Sequence, residues 1–410
     1  MYGKILKNTS WLIIAQIITK AVSFFYVIFL ARNLGVENFG LYIVAISYFS
    51  LISSIADFGV SRYVVREVAK DHQSLPEILS NIIFLRVTLM AVIFALFALL
   101  MYNIDPSKTR VALSLVAVLA VLPQAVAISL DSAFVALQKL SFSAISLSFY
   151  NIFSAAIGFI LVSRGFGAFG AVAAVILGQI IYVLCLFFFL IKQRIPLFSK
   201  IKENLFKEII LGSLPYGLLG ILGLLYFKID TLLLSYLKGS YDTGIYGAAY
   251  KFLEAIIFVP SSLSIALFPV LARLHDGKNT GLKNIYFKIL IFMGGLGVIV
   301  LIGYLVVLPG VIKLFLPKFL PSIEVVKILS LSIPFMFIHI PLSQIILSTD
   351  RYLQGVVKLS LASLFFNILL NLIFIPKFSF LAAAWVTVAS DVFSLIIIAI
   401  YIQRNVLRGR

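Results

Sequence analysis

Twelve apolar runs, each about the length of a membrane crossing, leave this chain almost nothing else to fold. They lie at 10–31, 40–61, 78–102, 110–137, 142–163, 168–191, 208–236, 243–271, 284–308, 322–348, 353–375 and 379–402. A helix needs about 20 apolar residues to span a bilayer. Twelve of them in 410 residues leave only short connectors, so no folded soluble module fits. Composition agrees: 62% of residues are hydrophobic and 12% charged, against about half and about a quarter in a soluble domain. The fold class expected is all-α integral membrane.

The net charge of +17 does not point to nucleic acid, because the basic residues sit in connectors rather than on one face. With the N-terminus placed in the cytoplasm, twenty Lys and Arg fall in inside segments and nine in outside ones. By the positive-inside rule both termini are then cytoplasmic. The run Trp11–Ala31 is too long for a signal-peptide core and reads as a retained first span. Cys185 is the single cysteine, and His72, His275 and His339 have no metal-ligand spacing. There is no P-loop and no Ser/His/Asp set. Neither an enzyme nor a cofactor is expected.

The longest polar connection, Lys192–Lys207, falls at mid-chain. We expect an N-terminal six-helix lobe at 1–195, a cytoplasmic linker at 196–207 and a C-terminal six-helix lobe at 208–410. The halves echo each other. Gly40-Leu41-Tyr42 with Ala45 is matched by Gly244-Ile245-Tyr246 with Ala249, Asn151 by Asn367, and Gln193-Arg194 by Gln403-Arg404. Parallel repeats of six spans imply a pseudo-twofold axis along the membrane normal. Pro123, Pro215, Pro260, Pro269 and Pro334 lie inside spans and mark bends.

Charges within spans cost about 2.5–3.5 kcal/mol on insertion scales, so they face a cavity or a partner. Lys20, Arg86, Lys228 and Lys251 are the deep cations, and together they suggest a cationic lining that attracts a phosphate or diphosphate. Arg62 and Arg66 stand one turn apart at a cytoplasmic helix end, as cavity groups or snorkelling anchors. Asp57, Asp230, Glu254 and Asp391 are candidates for proton or sodium coupling. Structural readings stand beside these: Lys251 and Glu254 are spaced to pair along one helix face, and Lys20 has Asp57 or Asp391 as a buried partner. Asn151, Asn367, Asn371, Gln124, Gln179 and His339 read as interhelical hydrogen-bonding groups.

Several stretches resemble the polysaccharide-transport (Wzx-type) oligosaccharide flippases of the multidrug/oligosaccharidyl-lipid/polysaccharide exporter superfamily. They are Asn8–Trp11, Ala31–Gly35 with Phe39–Tyr42, Asp57-Phe58-Gly59 and Arg66-Glu67. In the second half they are Lys228–Leu234, Gly244-Ile245-Tyr246 with Ala248-Ala249-Tyr250, Pro260-Ser261, Leu267-Phe268-Pro269 and Leu271-Ala272-Arg273. The resemblance implies two six-helix bundles working by alternating access in the cell (plasma or inner) membrane, as a monomer. The implied substrate is a polyprenyl-diphosphate-linked oligosaccharide moved from the inner to the outer leaflet for cell-surface polysaccharide synthesis. The lipid tail stays in the bilayer, and a proton or sodium ion is the candidate counter-ion. The alternative is a cation-coupled drug or metabolite antiporter of the same fold. A membrane glycan polymerase or ligase would need a long outer loop, and the outer loops here are short.

Overall fold

The computed structural model describes residues 2–195, 199–275 and 280–407. Among them every regular element is helical. The α-helices are α1 (Tyr2–Asp57), α2 (Val60–Lys70), α3 (Leu75–Ile104), α4 (Lys108–Leu119), α5 (Val121–Ala136), α6 (Leu140–Leu161), α7 (Gly167–Lys192) and α8 (Glu203–Lys238). They continue with α9 (Ser240–Ile256), α10 (Phe258–His275), α11 (Thr280–Lys288), α12 (Gly294–Phe315), α13 (Ser322–Ser330), α14 (Ile333–Leu347) and α15 (Leu353–Tyr401).

Eight segments among the described residues are long and apolar enough to cross a membrane, and a ninth is the pair α13 and α14, bent by 48°. Three of the eight run to 51, 53 and 55 residues. At about 1.5 Å per residue such a rod would be more than twice the ~30 Å hydrocarbon thickness. Each one turns back instead. The breaks fall at Gly35 (φ 73°), at Gly165 and Gly167 (φ 90° and 54°), and at Ser379 (φ 51°). The contacts across α15 show the reversal directly: Tyr352 bonds to Asn405, Ser363 to Ser394 and Asn367 to Ser390. All three pairs are centred between Phe378 and Ser379. Counting these three segments as two crossings each gives the twelve that the apolar runs predict.

Proline accompanies three further breaks. Pro123, Pro260 and Pro334 each lie within the first turn after an interruption, at Ala120, Ile257 and Ser332. A missing backbone N–H costs least in that turn.

The chain divides into two compact units, 1–224 and 225–410, with the division inside α8. In the first unit α2 is amphipathic. Val60, Tyr63, Val64 and Val68 face inward and pack on α3, α5 and α7, while Arg62, Arg66 and Lys70 are exposed. The early part of α8 belongs to this unit: Gly212 lies against the Tyr63 ring and Gly217 against Phe58, where a Cβ would meet their atoms below 3 Å. Outward surfaces are apolar in both units, with Phe25, Leu99, Phe188, Ile291 and Val306 60% or more exposed. Lipid rather than water satisfies such a surface.

Candidate functional site

The first unit holds an ion pair at a kink. Phe58 (φ 39°) and Gly59 (φ 73°) break the helix between α1 and α2, and Asp57 is the last residue before the break. Arg86 of α3, 1% exposed, reaches across. Its Nη2 donates to Asp57 Oδ1 at 2.7 Å and to Ser61 Oγ at 3.1 Å, and its Nη1 donates to Ser129 Oγ of α5 at 2.8 Å. The same Asp57 oxygen accepts from the Ser61 hydroxyl at 2.5 Å. Arg86 therefore ties α1, α2 and α5 to α3 at the Phe58–Gly59 kink, and its Nε has no partner. Lys20, weighed above as a partner for Asp57, is exposed on α1, and Asp57 is paired with Arg86 instead. Arg66 is half exposed and donates through Nε to Glu67 at 2.8 Å, which Lys70 also contacts. Arg62 is exposed beside it.

The second unit gathers the other candidate charges into two arrangements. Lys228 of α8 and Lys251 of α9 both donate to Glu254: Lys251 Nζ to Oε2 at 2.6 Å, Lys228 Nζ to Oε1. The spacing of Lys251 and Glu254 puts them on one helix face, and Lys228 comes from the neighbouring helix. The three side chains are 27%, 25% and 13% exposed for Lys251, Glu254 and Lys228.

Two residues past Lys228 the helix turns Asp230 the other way, into a site 2% exposed. Its Oδ1 accepts from Asn371 Nδ2 at 2.6 Å, and its Oδ2 accepts from Thr387 Oγ1 at 2.9 Å and Tyr246 OH at 3.2 Å. Asn371 also donates to Asn367 Oδ1 at 3.0 Å, and Asn367 donates to Ser390 Oγ at 3.2 Å. Asn367 and Asn371 are one turn apart, so they work on one face of α15. Asp391, next to Ser390, accepts from Tyr226 OH at 2.9 Å, with His339 Nε2 at 3.3 Å from the same oxygen. Its Oδ2 is buried without a partner.

Tyr226, Tyr246, Thr387, Ser61 and Ser129 are the partners that sequence reasoning did not single out. One signal was present: Tyr246 lies in the Gly-Ile-Tyr repeat. The candidate charges of the second unit comprise two lysines and three carboxylates, and both lysines share one glutamate.

The fold is an all-α membrane fold with charged side chains placed inside its apolar helices. Solved structures agree. The lipid II flippase MurJ in an inward closed conformation superposes with a TM-score of 0.72 at 18% identity, over 96% of this chain and 87% of that one. An inward-facing multidrug resistance MATE family transporter of the MOP superfamily gives 0.74 at 14% identity, over 95% and 96%. A family model described as polysaccharide biosynthesis protein matches residues 5–275, and one described as MatE matches 215–376. The chain belongs to the polysaccharide biosynthesis protein family. Among curated relatives it is 28% identical to the capsular polysaccharide biosynthesis protein CapF of Staphylococcus aureus, over 63% of this chain and 66% of that protein. It is 23% identical to an uncharacterized membrane protein of Methanocaldococcus jannaschii, over 94% of this chain and 81% of the relative.

Proposed function

We propose that this transporter is a flippase for a polyprenyl-diphosphate-linked oligosaccharide, working by alternating access from the inner to the outer leaflet, with both termini cytoplasmic. Family membership carries the reading, since the matched family and CapF are named for polysaccharide biosynthesis. Solvent-reachable intramembrane lysines support it, because a diphosphate must find cations inside a low-dielectric path. In the first unit Lys20 is the cation assigned to the substrate, while Arg86 is engaged by Asp57 and acts on the shape of the kink. In the second, Lys228 and Lys251 meet the diphosphate. Asp230, buried among Asn371, Thr387 and Tyr246, is assigned to the coupling ion.

Mass spectrometry of lipids retained by the gently solubilised protein tests this. The reading expects a polyprenyl-diphosphate glycan that is lost in Lys20→Gln and in Lys228→Gln. Retention of ordinary phospholipids alone, by a folded sample, contradicts it.

One observation favours the second reading, a cation-coupled antiporter. The second unit carries two carboxylates, Asp230 and Asp391, that no lysine neutralises among the described residues. That reading expects uptake of an organic cation driven by a proton or sodium gradient and abolished in Asp230→Asn.

A further inference from the structure

Glu254 bridges two lysines from different helices, one ammonium on each carboxylate oxygen. Two cations around one two-oxygen anion is the arrangement a phosphate takes between two ammonium groups. The cluster holds two positive charges against one negative. It is also reachable, at 13–27% side-chain exposure, whereas Asp230 and Asp391 are each 2% exposed.

We propose that Glu254 is a resident placeholder for the substrate's anion: its carboxylate occupies the position of one phosphate between Lys228 and Lys251, and a diphosphate binds by displacing it. This rests on the flippase reading and deepens it, by naming what the two lysines receive and how their site is kept closed. Charge decides the exchange. A monoanion entering the cluster replaces one carboxylate by another ligand of equal charge and gains nothing. A diphosphate brings at least two negative charges and several acceptor oxygens, so it matches both ammonium groups where Glu254 matches half their charge. The placeholder thus acts as a filter. Without it, two bare lysines would collect any small anion; with it, only a polyanion wins the site. Discrimination by a built-in competitor is a recognised route to specificity. Lys251 and Glu254 share a helix face, so displacement needs only rotamer changes of Glu254 while the lysines stay in place.

The test uses the full chain in detergent micelles, with binding of radiolabelled inorganic pyrophosphate measured by equilibrium dialysis. Glu254→Gln is expected to bind pyrophosphate at least about tenfold more tightly than the wild type, since it removes the competing charge and keeps the shape. Glu254→Asp, which keeps the charge but shortens the bridge, is expected to fall between them and decides the matter if the glutamine variant does not fold. Lys228→Met added to Glu254→Gln is expected to abolish the gain. Equal or weaker binding by Glu254→Gln, or a gain that survives loss of Lys228, overturns the proposal. Parallel arms with geranylgeranyl diphosphate and phosphatidylglycerol micelles as competitors separate the sources of phosphate: displacement by the former supports a diphosphate-headed lipid. Displacement by phosphatidylglycerol alone overturns the assignment to a diphosphate. A pyrophosphate gain in a protein that does not translocate lipid-linked glycan would remove the flippase reading and leave the anion site standing. Translocation without the gain would do the reverse.

Discussion

Removing one member of the Arg86–Asp57 pair should hurt far more from the carboxylate side than from the arginine side. Asp57→Ala strands a guanidinium that is 1% exposed, leaving it with the Ser129 and Ser61 hydroxyls and no counter-charge. Breaking a buried pair in this way costs about 3–5 kcal/mol. Arg86→Met leaves the Asp57 carboxylate instead. That group is 37% exposed on its side chain, still accepts from Ser61 at 2.5 Å, and can be hydrated. Methionine fills most of the vacated volume, so the loss should stay near 1 kcal/mol, the scale of a partly exposed pair. In the double variant no charge is left buried, and stability should recover most of the way to that of Arg86→Met. Thermal unfolding in micelles is readable with a thiol-reactive dye at Cys185, the single, half-buried cysteine. The expected order of melting temperatures is wild type, Arg86→Met, double variant, Asp57→Ala. If Arg86→Met melts as low as Asp57→Ala, or the double variant is no better than Asp57→Ala, the burial argument is wrong.

Other outcomes follow from the same geometry. Asn371→Leu deletes a charge-assisted hydrogen bond to buried Asp230 and should cost about 1.5–3 kcal/mol in the same melt, while Asn371→Asp should be worse because it sets a second carboxylate against the first. Gly158→Ala would place a Cβ 2.6 Å from Cζ of Tyr26; overpacking of this kind costs about 1–3 kcal/mol, and a neutral result would mean that Tyr26 moves freely. Ser379→Val forces a β-branched residue into a positive-φ turn and forfeits the hydrogen bond to Asp242, so it should lower stability by about 2 kcal/mol or more. Ser379→Gly, relieved of that strain, should fall clearly above the valine variant in melting temperature.

Hydropathy alone carried the membrane fold, because twelve crossings must appear as twelve apolar runs. Boundaries were less visible. The connector between the apolar runs 10–31 and 40–61 is helical and interrupted at Gly35 alone, since one positive-φ glycine suffices to reverse the chain. The mid-chain basic stretch reads as a linker at 196–207, and residues 208–224 group with the first compact unit; Gly212 and Gly217 permit that contact, and small-residue spacing does not reveal which neighbour it meets. Within the site, Lys251 and Glu254 were legible as a pair because three residues is a local helical distance. The partners of Asp57 and Asp230 were not. Arg86 lies 29 residues from the first and Asn371 141 from the second, and only tertiary packing decides which distant polar group meets which. Asn367 and Asn371 were read correctly as bonding between helices, since amides one turn apart on an apolar span have few other ways to be satisfied.

The most direct test of the account is translocation in proteoliposomes. A polyprenyl-diphosphate oligosaccharide bearing a fluorophore on its glycan is incorporated in both leaflets, and an impermeant quencher is added outside. Vesicles containing the protein should lose nearly all fluorescence, protein-free vesicles about half, and Lys228→Gln vesicles should resemble the protein-free ones. If wild-type vesicles stop at half while the same preparation takes up an organic cation down a proton or sodium gradient, the flippase account fails and the antiporter replaces it.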